Sequence, residues 1–125
     1  NMPLVIFVDD SETALASTRM VTNSLPIEVK QYTEAQVALA EIQAGMTPDL
    51  IITDLNMPEM NGFEFLQELR AVPATKRTPT LMLTTENKPE LKQQGKALGL
   101  TGWIVKPFNP AQLKQAITRV LRLPA

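Results

Sequence analysis

The chain has 125 residues, 44% of them apolar and 20% charged, which suits one domain around a single core and is too short for two. Its net charge of −1 gives no general attraction to nucleic acid or an anionic membrane, and its apolar runs are far shorter than a membrane span. It has no cysteine, which excludes disulfides and thiol chemistry, and no histidine, which removes the commonest general base and transition-metal ligand.

In chain order, "LVIFV" (Leu4 to Val8) reads as the first strand. A helix follows between Ser11 and Ser24, less regular in its apolar pattern, with Ser11 as its N-cap. "IEVKQY" (Ile27 to Tyr32) alternates, so it is expected to be a more exposed strand nearer a sheet edge. Thr33 is the expected cap of a helix whose apolar stripe is Ala35, Ala38, Leu39 and Ile42. "LIIT" (Leu50 to Thr53) is the third strand, and "GFEFLQELRA" (Gly62 to Ala71) is a strong helix former. "TLMLT" (Thr80 to Thr84) is the fourth strand. "PELKQQGKALG" (Pro89 to Gly99) is the weakest helix and the one expected to move most, with Gly95 inside it and few apolar anchors. "GWIV" (Gly102 to Val105) is the fifth strand, and Leu113, Ala116, Ile117 and Val120 mark the last helix.

Strand and helix thus alternate along the whole chain. Except in the second strand, the apolar runs do not alternate, as in strands covered on both faces. The expected fold is a doubly wound α/β sheet, parallel, with right-handed crossovers. The expected domain is residues 2–125, with no output domain attached. Asn1 ahead of Met2 reads as an added residue. The first ten residues have no basic segment before the apolar one, so no leader is expected and the expected location is cytoplasmic.

In such a sheet, ligands bind beyond the carboxyl ends of the strands. Asp9 and Asp10 follow the first strand, Asp54 follows the third, Thr84 and Thr85 end the fourth, and Lys106 follows the fifth. Taken singly, each has a plain structural explanation: a strand-terminal Asp is often a turn former, and Lys106 could be a solvated lysine. Taken together they are harder to explain, because carboxylates gathered without a cation repel one another. With no His or Cys, the ion that fits is a hard one, magnesium first and manganese as the alternative. A carboxylate beside such an ion, with a lysine and a hydroxyl nearby, suits phosphoryl chemistry. Asp54 would be the nucleophile, Lys106 would offset charge, and Thr84 would donate its hydroxyl.

The pieces "FVDDSET", "LIITDLNMPEMNGFEFL", "LMLTTE" and "GWIVKPF", in this order, resemble the response-regulator receiver domains of two-component signalling, of the chemotaxis-protein type. The resemblance covers nearly the whole chain. It implies a flavodoxin-like five-stranded parallel sheet in the order 2-1-3-4-5 with five helices, an arrangement for which this family is a standard example. It also implies that Asp54 is the phosphoacceptor. Asp10, Asp54 and the Asn56 backbone carbonyl would hold Mg²⁺, with Asp9 acting through bound water or as a further ligand. Lys106 would contact the phosphoryl group, the Lys106–Pro107 bond would be cis, and Pro58 and Gly62 would shape the loop after Asp54.

Thr84 and Trp103 occupy the family's switch positions, where movement of Thr84 toward the phosphoryl group turns an aromatic inward and remodels the face of the fourth helix, fifth strand and fifth helix. Tyr or Phe is usual where this chain has Trp103. An indole is bulkier, and its N–H needs a partner when buried. Asn56 and Glu86 occupy positions that modulate phosphoryl lifetime, and this pair implies fast turnover. Dephosphorylation would be self-catalysed, and the chain would not otherwise be an enzyme.

The implied donor is a histidine kinase or a histidine phosphotransfer protein, and the implied receiver of the signal is an effector protein or a fused output domain. Direct nucleic-acid contact and membrane insertion are not expected. The oligomeric state is left between a monomer and a phosphorylation-dependent dimer. Two competing readings are a non-phosphorylated interaction module and a Mg²⁺-dependent aspartyl-phosphate hydrolase. The first should lack an acid, the lysine or the acceptor, and all are present. The second places its nucleophile after the first strand with another Asp two positions on, a spacing that "VDDSET" lacks.

Overall fold

The computed structural model describes residues 2–124. Asn1, read above as an added residue, and Ala125, the last residue of the expected domain, lie outside the described residues. The chain runs β1 (Leu4–Val8), α1 (Glu12–Thr22), β2 (Glu28–Tyr32), α2 (Ala35–Gln43), β3 (Leu50–Thr53), α3 (Gly62–Ala71), a 3-10 turn (Pro73–Thr75), β4 (Thr80–Thr84), α4 (Pro89–Ala97), β5 (Gly102–Val105) and α5 (Pro110–Leu121). The five strands are parallel in the order β2-β1-β3-β4-β5.

This order explains the burial. In β1, Val5 to Val8 are all buried, and β3 and β4 are buried throughout, because both faces are covered. On one face Phe7, Leu50, Ile52 and Leu83 pack with Leu15 of α1 and with Leu113 and Ile117 of α5. On the other, Ile6, Val8 and Ile51 pack with Ala38, Leu39 and Ile42 of α2 and with Phe65 and Leu69 of α3. Met82 of β4 forms a smaller cluster with Leu55 and Phe63, extended by Leu91 and Leu98 toward α4 and by Trp103 of β5. Each fully buried Leu, Ile or Phe side chain in these layers contributes on the order of 1.5–3 kcal/mol. β2 is an edge strand, with the alternating exposure its sequence suggests. β5 is also an edge. Its unalternating run reads like a central strand, yet Gly102, Trp103 and Val105 are only half-buried because no strand flanks its outer side.

The helix ends follow local chemistry. Ser11 caps α1, its hydroxyl accepting from Ala14 N at 3.2 Å. Asn61 and Glu64 form a reciprocal capping box on α3, at 2.9 Å in each direction. Thr33, expected to cap α2, lies one residue too early. Glu34 holds the cap position in extended conformation and makes no side-chain capping bond. The irregular pattern of α1 also has a physical basis. Its buried face is Leu15, Thr18 and Thr22, and the two hydroxyls bond back to the carbonyls of Leu15 and Thr18, each at 2.9 Å.

Candidate functional site

Because the strands are parallel, Val8, Thr53, Thr84 and Val105 all finish at one edge of the sheet. The next residues still take part in the ladder. Asp9 N donates to Tyr32 O at 3.0 Å, Asp54 N to Val8 O at 2.9 Å, and Lys106 N to Thr84 O at 2.8 Å. The three ionic groups are therefore set by sheet backbone rather than by mobile loops.

Their side chains converge. One carboxylate oxygen from each of Asp9, Asp10 and Asp54 lies within 4.8 Å of the others. Lys106 Nζ donates to Asp9 Oδ2 at 2.5 Å and to Asp54 Oδ2 at 3.3 Å. The remaining oxygens are held by backbone, Asp9 Oδ1 by Ser11 N at 2.9 Å and Asp54 Oδ1 by Leu55 N at 2.7 Å. Asp9 is buried, Asp54 half-buried and Asp10 exposed, so the cluster opens to solvent on the Asp10 side.

Burial pushes the Asp9 carboxyl above its ordinary value, against the lowering effect of the Lys106 and Ser11 bonds, and the charge of Asp54 adds to the rise. Burial also pulls the Lys106 ammonium down, but its bond to Asp9 and the charges of Asp54 and Asp9 outweigh this, so its pKa is raised. Lys106 faces two carboxylates, whereas Asp9 shares one ammonium with Asp54. The set as a whole is three acids against one base, all hard oxygen donors on the acid side. This donor chemistry fits a small divalent cation and offers nothing to a soft one.

The other expected residues lie on or after β3, β4 and β5. Thr84 is fully buried, its hydroxyl accepting from Glu86 N at 3.4 Å. Asn56 and Glu86 meet, Nδ2 donating to Oε2 at 2.8 Å. The indole of Trp103 is half-buried, with its ring centroid 6.3 Å from that of Phe63, and its N–H donates to the backbone carbonyl of Glu86 at 2.9 Å. The Lys106–Pro107 bond is cis. Past Pro58, Glu59 takes a φ of 71°, and Gly62 N returns to Leu55 O at 2.8 Å. Gly62 has to be glycine, since a Cβ there would lie 2.4 Å from the backbone oxygen of Asp54.

Three participants escaped the sequence reading. The amides of Ser11 and Leu55 that hold the carboxylates have no side-chain signature. Gly95, read as a helix weakness, is a point of close approach: a Cβ there would lie 3.3 Å from Phe63 Cε1 and 3.4 Å from Trp103 Cζ3. A glycine inside an otherwise helical pattern was the available signal.

An α/β sheet presenting an acidic cluster and a lysine at its carboxyl edge suits phosphoryl chemistry. The particular family follows from comparison. The family model described as "Response regulator receiver domain" matches residues 5–118. The chain is 37% identical over 122 residues to chemotaxis protein CheY1 of Helicobacter pylori, covering 94% of this chain and 95% of that one. The structure of chemotaxis protein CheY4 of Vibrio cholerae superposes with a TM-score of 0.89 at 45% identity, over 96% of this chain and 99% of that one. The gliding motility regulatory protein of Myxococcus xanthus is 33% identical over 93% of this chain, which spans only 15% of that relative's length. The chain belongs to the response-regulator receiver domains of two-component signalling. Such domains act with histidine kinases and downstream effectors and are signalling modules rather than enzymes in the usual sense. Among the described residues no helix is long and apolar enough to cross a membrane.

Proposed function

We propose that the chain accepts a phosphoryl group on Asp54 from a phosphohistidine of a kinase or phosphotransfer protein, and passes the signal on through the face of α4, β5 and α5. The observation that carries this reading is the convergence of Asp9, Asp10 and Asp54 with Lys106 at one sheet edge. In the transfer, an Asp54 oxygen forms the new bond to phosphorus. The bond from phosphorus to the donor's ring nitrogen breaks, and the imidazole keeps the electron pair.

Asp10, Asp54 and the Asn56 carbonyl would hold Mg²⁺, with Asp9 as a further or water-mediated ligand; the bound ion would supply positive charge for the phosphoryl oxygens. Lys106, already beside Asp54, turns from Asp9 to the incoming phosphoryl oxygens. Thr84 can rotate its hydroxyl from the Glu86 amide to a phosphoryl oxygen, the smallest motion that reports arrival. Residues 2–125 act as one receiver domain in the cytoplasm, and the partner is a separate effector or an output domain of a longer protein.

Incubation with phosphoramidate and Mg²⁺ should add one phosphoryl mass to the intact wild-type chain and none to Asp54→Asn. An unmodified wild type, or equal modification of the variant, would overturn this reading.

A further inference from the structure

Glu86 is where contacts from separate parts of the molecule meet. Its carboxylate accepts from the Asn56 amide of the loop after β3, at 2.8 Å. Its backbone N–H meets the Thr84 hydroxyl at 3.4 Å. Its backbone carbonyl accepts the Trp103 indole N–H at 2.9 Å. The N-cap of α4, Lys88, two residues past Glu86, makes no side-chain capping bond. The indole is the firmer partner. It packs near Phe63 and against Gly95, in a slot where an alanine Cβ would come within 2.9 Å of Leu100 Cδ2.

A carboxylate only accepts hydrogen bonds, so Glu86 decides which end of the Asn56 amide faces it. The NH₂ points to Glu86, and Oδ1, two residues beyond Asp54, accepts no hydrogen bond among the described residues. That oxygen and the second Glu86 oxygen are acceptors able to hold a water by its protons.

We infer that Trp103 is a positioning residue for hydrolysis of the phosphoryl group on Asp54, acting through Glu86 on Asn56. This rests on the proposed phosphorylation of Asp54. In the step, the oxygen of water forms the new bond to phosphorus, the bond from phosphorus to the Asp54 oxygen breaks, and the carboxylate keeps the electron pair. The water's protons pass to phosphate and solvent. The indole N–H holds Glu86, Glu86 orients Asn56, and Asn56 aligns the water. A partner that draws the indole away therefore also prolongs the phosphoryl signal.

The test is the decay of the phosphoryl mass after removal of phosphoramidate, in wild type, Trp103→Phe, Glu86→Ala and the double variant, with thermal midpoints recorded alongside. Phenylalanine keeps a ring against Phe63 and Gly95 but has no N–H. Decay should be slower by about fivefold in Trp103→Phe, the equivalent of one ordinary hydrogen bond. It should be at least as slow in Glu86→Ala, and no slower in the double variant than in Glu86→Ala alone. Wild-type decay in folded Trp103→Phe would overturn the inference, and so would effects that multiply in the double variant. If Trp103→Phe does not fold, Glu86→Ala decides: wild-type decay there breaks the proposed chain at its middle link. Failure of the underlying reading looks different, because the wild type would then take up no phosphoryl group on Asp54.

Discussion

Lys106 balances two demands. It neutralises Asp9 and Asp54 in the metal-free chain, and it occupies the carboxylates that a cation needs. Lys106→Met should therefore bind Mg²⁺ more tightly than wild type while lowering metal-free stability by about 1–3 kcal/mol, because it leaves inward charges unpaired; calorimetric titration and chemical denaturation read the two effects. Asp9 adds a pH dependence. Its pKa is raised in the fold, so folding favours the neutral form. The associated stability is complete below the unfolded value of 3.8 and is lost as pH rises from there through the raised folded value. Comparing wild type with Asp9→Asn in thermal melts across that window should show wild type losing ground as pH rises; an unchanged difference would contradict it. At this scale the sequence was legible where a residue's own chemistry does the work. Asp9, Asp54 and Lys106 could be placed from strand ends alone, and the need of Trp103 for a partner followed from its N–H. That the partner is the Glu86 carbonyl could not be read, because every residue has a carbonyl.

Among the elements, α3 and α4 differ in how firmly they are fixed. α3 begins at Gly62, pressed against the backbone of Asp54 and Leu55, with a full capping box. Gly62→Ala should cost about 1–3 kcal/mol and slow phosphorylation, since the clash is with backbone that carries the proposed acceptor, and no side chain can move aside to relieve it. α4 buries only Gly95 and has no side-chain cap. Its amides should exchange with solvent faster than those of α3 and α5 in a hydrogen-exchange time course; uniform protection across the helices would count against this. Four of the five strands matched their apolar runs residue for residue; in β1, β3 and β4 burial on both faces leaves a plain signature, whereas β5 carries the same kind of run at a half-buried edge. α1 was harder to read because threonines take core positions when their hydroxyls can bond back to the helix. The turn at Pro73–Thr75 escaped notice. It is held by Arg70, which donates to the carbonyls of Thr75 at 2.9 Å and Gly99 at 3.1 Å, a contact between segments far apart in sequence.

For the whole molecule, the parallel sheet is what turns scattered residues into a site. Asp9 and Lys106 are 97 positions apart in the chain and in contact in the fold. Alternation of strands and helices announced the fold class, but the strand order came from family resemblance, since no local pattern says which strand lies beside which. Because the three acids are gathered only in the folded chain, Mg²⁺ should stabilise it by mass action, by about 2.7 kcal/mol at a hundredfold excess over Kd. The gain should be much reduced in Asp10→Asn. The account turns on one assignment, that Asp54 carries the phosphoryl group rather than its neighbours Asp9 or Asp10. Borohydride reduction of the phosphorylated chain, followed by peptide mapping, tests it directly, since the reagent converts an aspartyl phosphate to homoserine where it stands. Homoserine at position 54 alone is the expected result. Homoserine at position 9 or 10, with position 54 intact, would contradict the account.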